Sequence, residues 1–317
     1  KKMRRYIYLL LFVLSVCGGM VTSCSRHEVR FRIGVSQCSD DEWRHQMNNE
    51  MLREALFYDG VEVEIRTVKD DNARQAEDIR HFIEAGVLIV APNEAEPITP
   101  VVEEAYDRGI PVIVVDRRIL SEKYTAYVGA DNYEIGKAIG RYVSNMLHGK
   151  GTVVEIAGLA GSTPAIDRHE GFMSVISACP DIRLLAKEDG AWLRSRAEER
   201  MDTLLARFPE IDVVYAQNDR MAAGAYAAAM RRKREKGMRF VGTDAIPGEG
   251  YGVEQVLSGE LDATFIYPTG GDRVMQIAMD ILNKRDFPRE TILSTSVVDR
   301  DNVPIMKMQT AHISSLD

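Results

Sequence analysis

An α/β protein of two similar halves, each a parallel sheet with helices on both faces, is predicted by three observations. Strand-like and helix-like segments alternate from Val29 to about residue 298. VLIVA (87–91) and IPVIVV (110–115) are unbroken apolar runs, the pattern of strands buried on both faces. A polar group recurs just past the strand ends, where open α/β sheets bind their ligands.

The elements follow in order. FRIGVS (31–36) is the first strand, with a helix expected from Glu42 to Tyr58. VEVEIRT (61–67) alternates, which places it near a sheet edge. Asn72 is expected to cap a helix running to Glu84, and Pro97 to open another running to Asp107. AYVGAD (126–131) closes the first series.

The second series starts with a helix over 132–147. The strands TVVEIAG (152–158), IRLLAKE (182–188), IDVVYA (211–216), MRFVGTD (238–244), ATFIYP (263–268) and TILSTSVV (291–298) follow. Helices are expected between them over 164–177, 194–208, 220–236, 248–257 and 271–282. No low-complexity linker separates the halves, so the division rests on the count of units.

At 317 residues and 45% hydrophobic composition the chain supports a sizeable core. The formal charge is -8, and the only charges before residue 24 are Lys1, Lys2, Arg4 and Arg5, so the remainder carries -12. That balance argues against a nucleic-acid partner.

Those cations, the apolar run from Tyr6 to Val16 and the small residues after it read as an export signal over 1–24. Val21-Thr22-Ser23-Cys24 resembles a bacterial lipobox, in which Cys24 would carry lipid. An uncleaved anchor helix is the competing reading. Either way the remainder lies outside the cytoplasm, tethered to the membrane. Cys38 and Cys179 then remain, in different units, and are expected to be unpaired thiols.

Little in the chain supports catalysis. GLAGST (158–163) follows a strand and opens a helix, but lacks the Lys of GxxxxGK(S/T) and the GxGxxG spacing, so it reads as a tight turn. The six histidines show no metal-ligand spacing, and no nucleophile stands with its base, so neither cofactor nor metal is expected. RRKREK (231–236) reads as a solvated helix end.

The strand ends instead carry Ser36 and Asp40, the pair Asp116 and Arg117, the pair Asn218 and Asp219, and Asp244. Asp219 is read as a helix cap. Arg168 falls in the first turns of a helix, where a cation opposes the dipole and therefore needs another reason to be there. The two tryptophans, Trp43 and Trp192, each follow a strand and open a helix. Flat rings among carboxylates, amides and guanidinium groups are the chemistry of sugar recognition. Asp116 and Arg117 are expected to be ligand groups rather than supports of the fold.

RIGVSQCSDDEW, IPVIVVDRR, AIDRHEGF, VVYAQNDRMAAGA and FVGTDAIP, in this order over roughly residues 29–300, resemble the type I periplasmic sugar-binding proteins. The resemblance implies two Rossmann-like lobes of LacI-like fold, joined by a three-strand hinge and closing on one monosaccharide. It implies an N-terminal lobe of residues 29–130 plus 268–293 and a C-terminal lobe of 131–267 plus 294–304. Residues 305–317 would then form a linker helix. Matched motif by motif, it implies sugar contacts at Ser36, Asp40, Trp43, Asp116, Arg117, Arg168, Trp192, Asn218, Asp244 and Tyr267. Glu42 replaces one of two adjacent aromatics found in ribose binders, and Tyr267 replaces a Gln.

More narrowly, SQCSDDEWRHQMNNEM, APNEAEPITPVV, YPTGGD and NVPIMKMQTAHI resemble the periplasmic sensor module of Bacteroides-type hybrid two-component systems. That resemblance implies a signalling role, with residues 302–317 passing lobe movement to a membrane helix or to a second copy in a homodimer. The alternative is a sugar-binding lipoprotein that serves an ABC permease. A repressor of this fold would carry a DNA-binding helix pair where the export signal stands.

Overall fold

The computed structural model describes residues 29–304. The export signal, the lipobox with Cys24 and the segment 305–317 lie outside the described residues.

In chain order the elements are β1 (Phe31–Gln37), α1 (Glu42–Ala55), β2 (Val61–Thr67), α2 (Asn72–His81), β3 (Val87–Val90), α3 (Ala95–Asp107), β4 (Val112–Val115) and β5 (Ala126–Ala130). Then come α4 (Asn132–Met146), β6 (Gly151–Ala157), α5 (Thr163–Ile176), β7 (Ile182–Asp189), α6 (Arg194–Arg207), β8 (Val213–Ala216) and α7 (Asp219–Arg231). The last are β9 (Arg239–Val241), α8 (Gly252–Ser258), β10 (Ala263–Phe265), α9 (Gly271–Leu282), β11 (Glu290–Leu293) and β12 (Val297–Asp299).

Two sheets result, ordered β2-β1-β3-β4-β5-β11 and β7-β6-β8-β9-β10-β12. The first is parallel throughout, and in the second only β12 runs antiparallel, against β10. The apolar runs sit where their patterns require. β3 and β4 are buried at every residue inside the first sheet, whereas alternating β2 forms its edge. In each sheet the strand order reverses beside the first strand, between β1 and β3 and between β6 and β8. Such switch points open a crevice at the carboxyl ends of the strands.

The expected strand over 291–298 is in fact two strands in two sheets. β11 pairs with β5 and β12 with β10, and the polar residues Ser294–Ser296 carry the chain between them. One ladder cannot serve two separate sheets, so the strand breaks. The Thr295 hydroxyl donates to the Ile266 carbonyl (2.7 Å) and the Ile266 N–H to the Ser296 carbonyl (2.8 Å). These bonds tie this crossing to the one between β10 and α9. A third crossing joins β5 to α4.

Helix ends also differ from expectation: α1 stops at Ala55 rather than Tyr58, α3 opens at Ala95 rather than Pro97, and α8 opens at Gly252 rather than Gly248. Asp71, not Asn72, caps α2, accepting the Arg74 N–H at 2.9 Å. The helix expected to reach Lys236 stops at Arg231, since Lys233 takes a left-handed conformation (φ 56°). α4 and α5 cross at glycines: a Cβ on Gly171 would stand 2.0 Å from the Tyr133 carbonyl oxygen, and one on Gly136 2.2 Å from that of Arg168. That close approach fixes the backbone from which Arg168 reaches the crevice.

Candidate functional site

The crevice between the two sets of strand ends holds a small cavity of about 50 Å³. From the first sheet, the loop after β1 sets the entry of α1. The Asp41 carboxylate accepts the Arg44 N–H (2.9 Å) as the helix cap and is itself held by the Ser39 hydroxyl (2.9 Å). The first turn of α1 thereby delivers Trp43 and Arg44 into the cavity wall. The Trp43 indole N–H donates to the Tyr267 carbonyl (2.8 Å), and the two rings stack at 5.1 Å.

Asp116, at the end of β4, takes a left-handed backbone (φ 60°), and its carbonyl accepts the Tyr127 hydroxyl at 2.8 Å. Its carboxylate is ion-paired with Arg44 and accepts the Tyr267 hydroxyl, while Arg117 Nε lies 3.8 Å away. Burial pushes this carboxyl up, but Arg44 and Arg117 outweigh it and hold the group below the usual range. Burial likewise works against charge on Arg44, and Asp116 reverses the effect. Arg117 in turn donates to the Asn93 carbonyl at 2.6 Å.

The second sheet supplies the other wall. Arg168 is 1% exposed and donates to Asn132 Oδ1 (2.9 Å) and to the Gln217 carbonyl (2.5 Å). Its guanidinium carbon lies 4.2 Å from the Tyr267 ring centre and 5.6 Å from that of Trp192, within cation–π range of both. Such partners are the reason this cation can sit in an early helical turn.

Trp192 follows β7 in a turn where both it and Ala191 have positive φ. Its indole nitrogen is buried and bonds to none of the described residues. Asn218 caps α7, accepting the Met221 N–H at 2.9 Å, and donates to the Trp192 carbonyl at 3.5 Å. The cap expected at Asp219 is therefore one residue earlier. Asp244 faces the cavity from beyond β9, half-buried, and burial raises its carboxyl well above the usual value.

Trp43, Asp116, Arg117, Arg168, Trp192, Asn218, Asp244 and Tyr267 thus meet at one cavity. Ser36 and Asp40 stand apart. Ser36 is buried in β1 on the α2 side, where its hydroxyl accepts from Gln75 at 3.3 Å. Asp40 turns to solvent, bonding His45 (2.7 Å) and Lys69 (3.0 Å), because the helix cap selects Asp41 instead. Ser39 and Asp41 take their places in the lining.

Arg44 and Arg220 also line the cavity and were not expected. The signal was present: each is a cation in the first turn of a helix, the same anomaly that singled out Arg168. A larger hollow of about 820 Å³ lies on the outer side of Trp43 and Tyr267, along α1. It lacks the facing arginines that line the smaller space.

Comparison with known proteins agrees with this fold. A model of the periplasmic binding protein domain matches residues 33–286. The galactofuranose-binding protein YtfQ of Escherichia coli is 33% identical over 263 residues, covering 80% of each chain. Among solved structures, the fructose-binding periplasmic domain of the hybrid two-component system BT1754 superposes with a TM-score of 0.90 at 61% identity. The match covers 91% of this chain and 97% of that one. An ABC transporter solute-binding protein from Bacillus halodurans with bound myo-inositol gives a TM-score of 0.83 at 26% identity, covering 90% and 99%. With two such lobes, this crevice and a family match over most of its length, the chain belongs to the periplasmic binding protein domain family, as a sugar-binding periplasmic domain.

Proposed function

We propose that this domain is the sensor of a hybrid two-component system and takes a single monosaccharide of the fructose class between its lobes. The observation that carries the reading is the chemistry of the cavity. Asp116 and Asp244 offer acceptors, Arg44, Arg117 and Arg168 offer charged donors, and Trp43 and Trp192 offer flat apolar faces. Hydroxyls need both partners, ring C–H faces need the aromatics, and a small space between two walls suits one sugar rather than a chain. The fructose ligand and the kinase context are supported by the 61% identity with the BT1754 domain.

Closure would bring the two walls together about the three crossings, a hinge movement known for such folds. Residues 302–317 would pass that movement on, and residues 1–24, with Cys24 lipidated or the helix uncleaved, would hold the module at the membrane. Delivery of a sugar to an ABC permease is the second reading, favoured by the likeness to the ABC transporter solute-binding protein from Bacillus halodurans.

Calorimetry of residues 29–304 against D-fructose, D-galactose, D-ribose and myo-inositol, with small-angle scattering, tests the binding. Fructose should bind and shrink the radius of gyration. No binding to any of the four, at unchanged radius, would overturn the proposal. The coding sequence beyond Asp317 separates the two contexts, since a membrane span and kinase would support the first and a stop codon the second.

A further inference from the structure

Asp219 opens α7 but does not cap it, since Asn218 does. Its side chain turns inward and is 4% exposed. Oδ1 accepts the Thr264 hydroxyl at 2.7 Å and Oδ2 accepts the Ala245 N–H at 2.8 Å, while its own N–H donates to the Thr243 carbonyl at 2.8 Å. The carboxylate is wedged against backbone: a Cβ on Gly242 or Gly252 would fall 2.1 and 1.9 Å from its oxygens. One side chain therefore binds together the start of α7, the loop after β9, β10 and the start of α8.

That loop is strained at the residues that matter. Asp244 and Ala245 have φ of 134° and 53°, consecutive non-glycine residues in a region L-residues seldom occupy. The bond from Ala245 N–H to Asp219 holds them there. Asp244, so held, lines the interlobe cavity with Arg168 and takes no side-chain hydrogen bond from any described residue. A half-buried carboxylate at the cavity, without donors, is left for a ligand's hydroxyls.

We infer that Asp219 is a positioning residue that aims the Asp244 carboxylate into the sugar cavity. This rests on the proposed sugar-binding reading. It also has an electrostatic signature, because the two carboxylates share one buried region. Burial lifts Asp219 to about 6, opposed by Thr264, the Ala245 N–H and Arg168. Burial and then Asp219 also lift Asp244 well above the usual carboxyl value, with Asp41 and Asp116 adding to the rise and Arg168 opposing it. Sugar hydroxyls donate to the ionised form, so affinity should increase as pH rises and Asp244 ionises.

The test compares wild type, Asp219→Asn and Asp219→Ala by calorimetry with D-fructose from pH 5 to 8. Asp219→Ala should lose at least tenfold in affinity. Asp219→Asn removes a neighbouring charge, so Asp244 ionises more readily and the midpoint of the affinity profile should move to lower pH. Asp219→Asn with an unmoved midpoint overturns the inference.

A second arm needs no sugar. A group with a raised carboxyl pKa favours the fold when protonated, so the stabilisation from Asp219 is full at low pH and is lost as pH rises through about 6. The melting temperature of wild type should therefore fall relative to Asp219→Asn between pH 5 and 7, and this difference in slope should shrink in an Asp244→Asn background. Parallel curves in both backgrounds overturn the inference, even if fructose proves to be the wrong sugar.

Discussion

Asp116 shows how a single residue can recognise a ligand and hold the fold together. From the sequence it is a strand-end carboxylate expected to stand in water. In the structure it is 5% exposed and is the counterion of a buried arginine. Removing one partner of a buried pair costs about 3–5 kcal/mol. Asp116→Ala should therefore lower unliganded stability by about that much, in addition to abolishing sugar binding. The double variant Asp116→Leu with Arg44→Met should recover much of the stability and none of the binding, as denaturant melts and calorimetry would show.

Trp192 makes the opposite case. Its buried indole N–H has no partner among the described residues, so losing it costs the fold nothing. Trp192→Phe should lower the melting temperature only by the ring packing and cation–π contact it gives up, with nothing added for the N–H. If a sugar hydroxyl accepts from that nitrogen, affinity should drop by up to about tenfold, the value of one hydrogen bond near 0.5–1.5 kcal/mol.

The individual elements were legible where burial and period agree. The Val/Ile runs of β3 and β4, the alternating edge of β2 and the full span of α9 are simple consequences of side-chain pattern. Less legible was anything decided by a single side chain's choice of partner. Three acceptors follow β1 within a few residues, and only the packing determines that Asp41 caps α1 and sends Asp40 outward. The broken strand over 291–298 was hidden for a related reason. A propensity for extended backbone does not say which sheet will supply the ladder.

At this scale Asp41→Ala should cost about 1 kcal/mol of stability for the lost cap. It should also weaken sugar binding beyond that amount, because Trp43 and Arg44 take their direction from the first turn. Gly171→Ala would drive a methyl into the Tyr133 carbonyl and displace the helix carrying Arg168. A lower melting temperature and a weakened affinity together are the expected result.

As a whole, the molecule has its two halves fastened at points away from the cavity centre. The Ala95 N–H donates to the Gly161 carbonyl (3.1 Å), and the Arg118 N–H donates to the Thr163 hydroxyl (2.9 Å). Glu42 pairs with Arg220 at 3.1 Å, with both side chains more than a third exposed. GLAGST thus turns out to be part of the clasp between halves, a role its glycines did not announce. An exposed ion pair is worth less than about 1 kcal/mol and is screened by salt. Glu42→Gln should accordingly speed sugar release by only a few fold in stopped flow, and the difference should vanish at high ionic strength.

Tyr267 stands on the crossing between β10 and α9, yet its hydroxyl bonds Asp116, its ring stacks on Trp43 and Arg168 lies over its face. The wall of the cavity and the pin of the hinge are therefore one residue. A ligand can shift the balance between open and closed forms only by the difference in its affinity for them. Occupancy and signal are then separable quantities: a compound that fills the space while leaving Tyr267 untouched would compete with the sugar and leave the hinge at rest, an antagonist in the pharmacological sense.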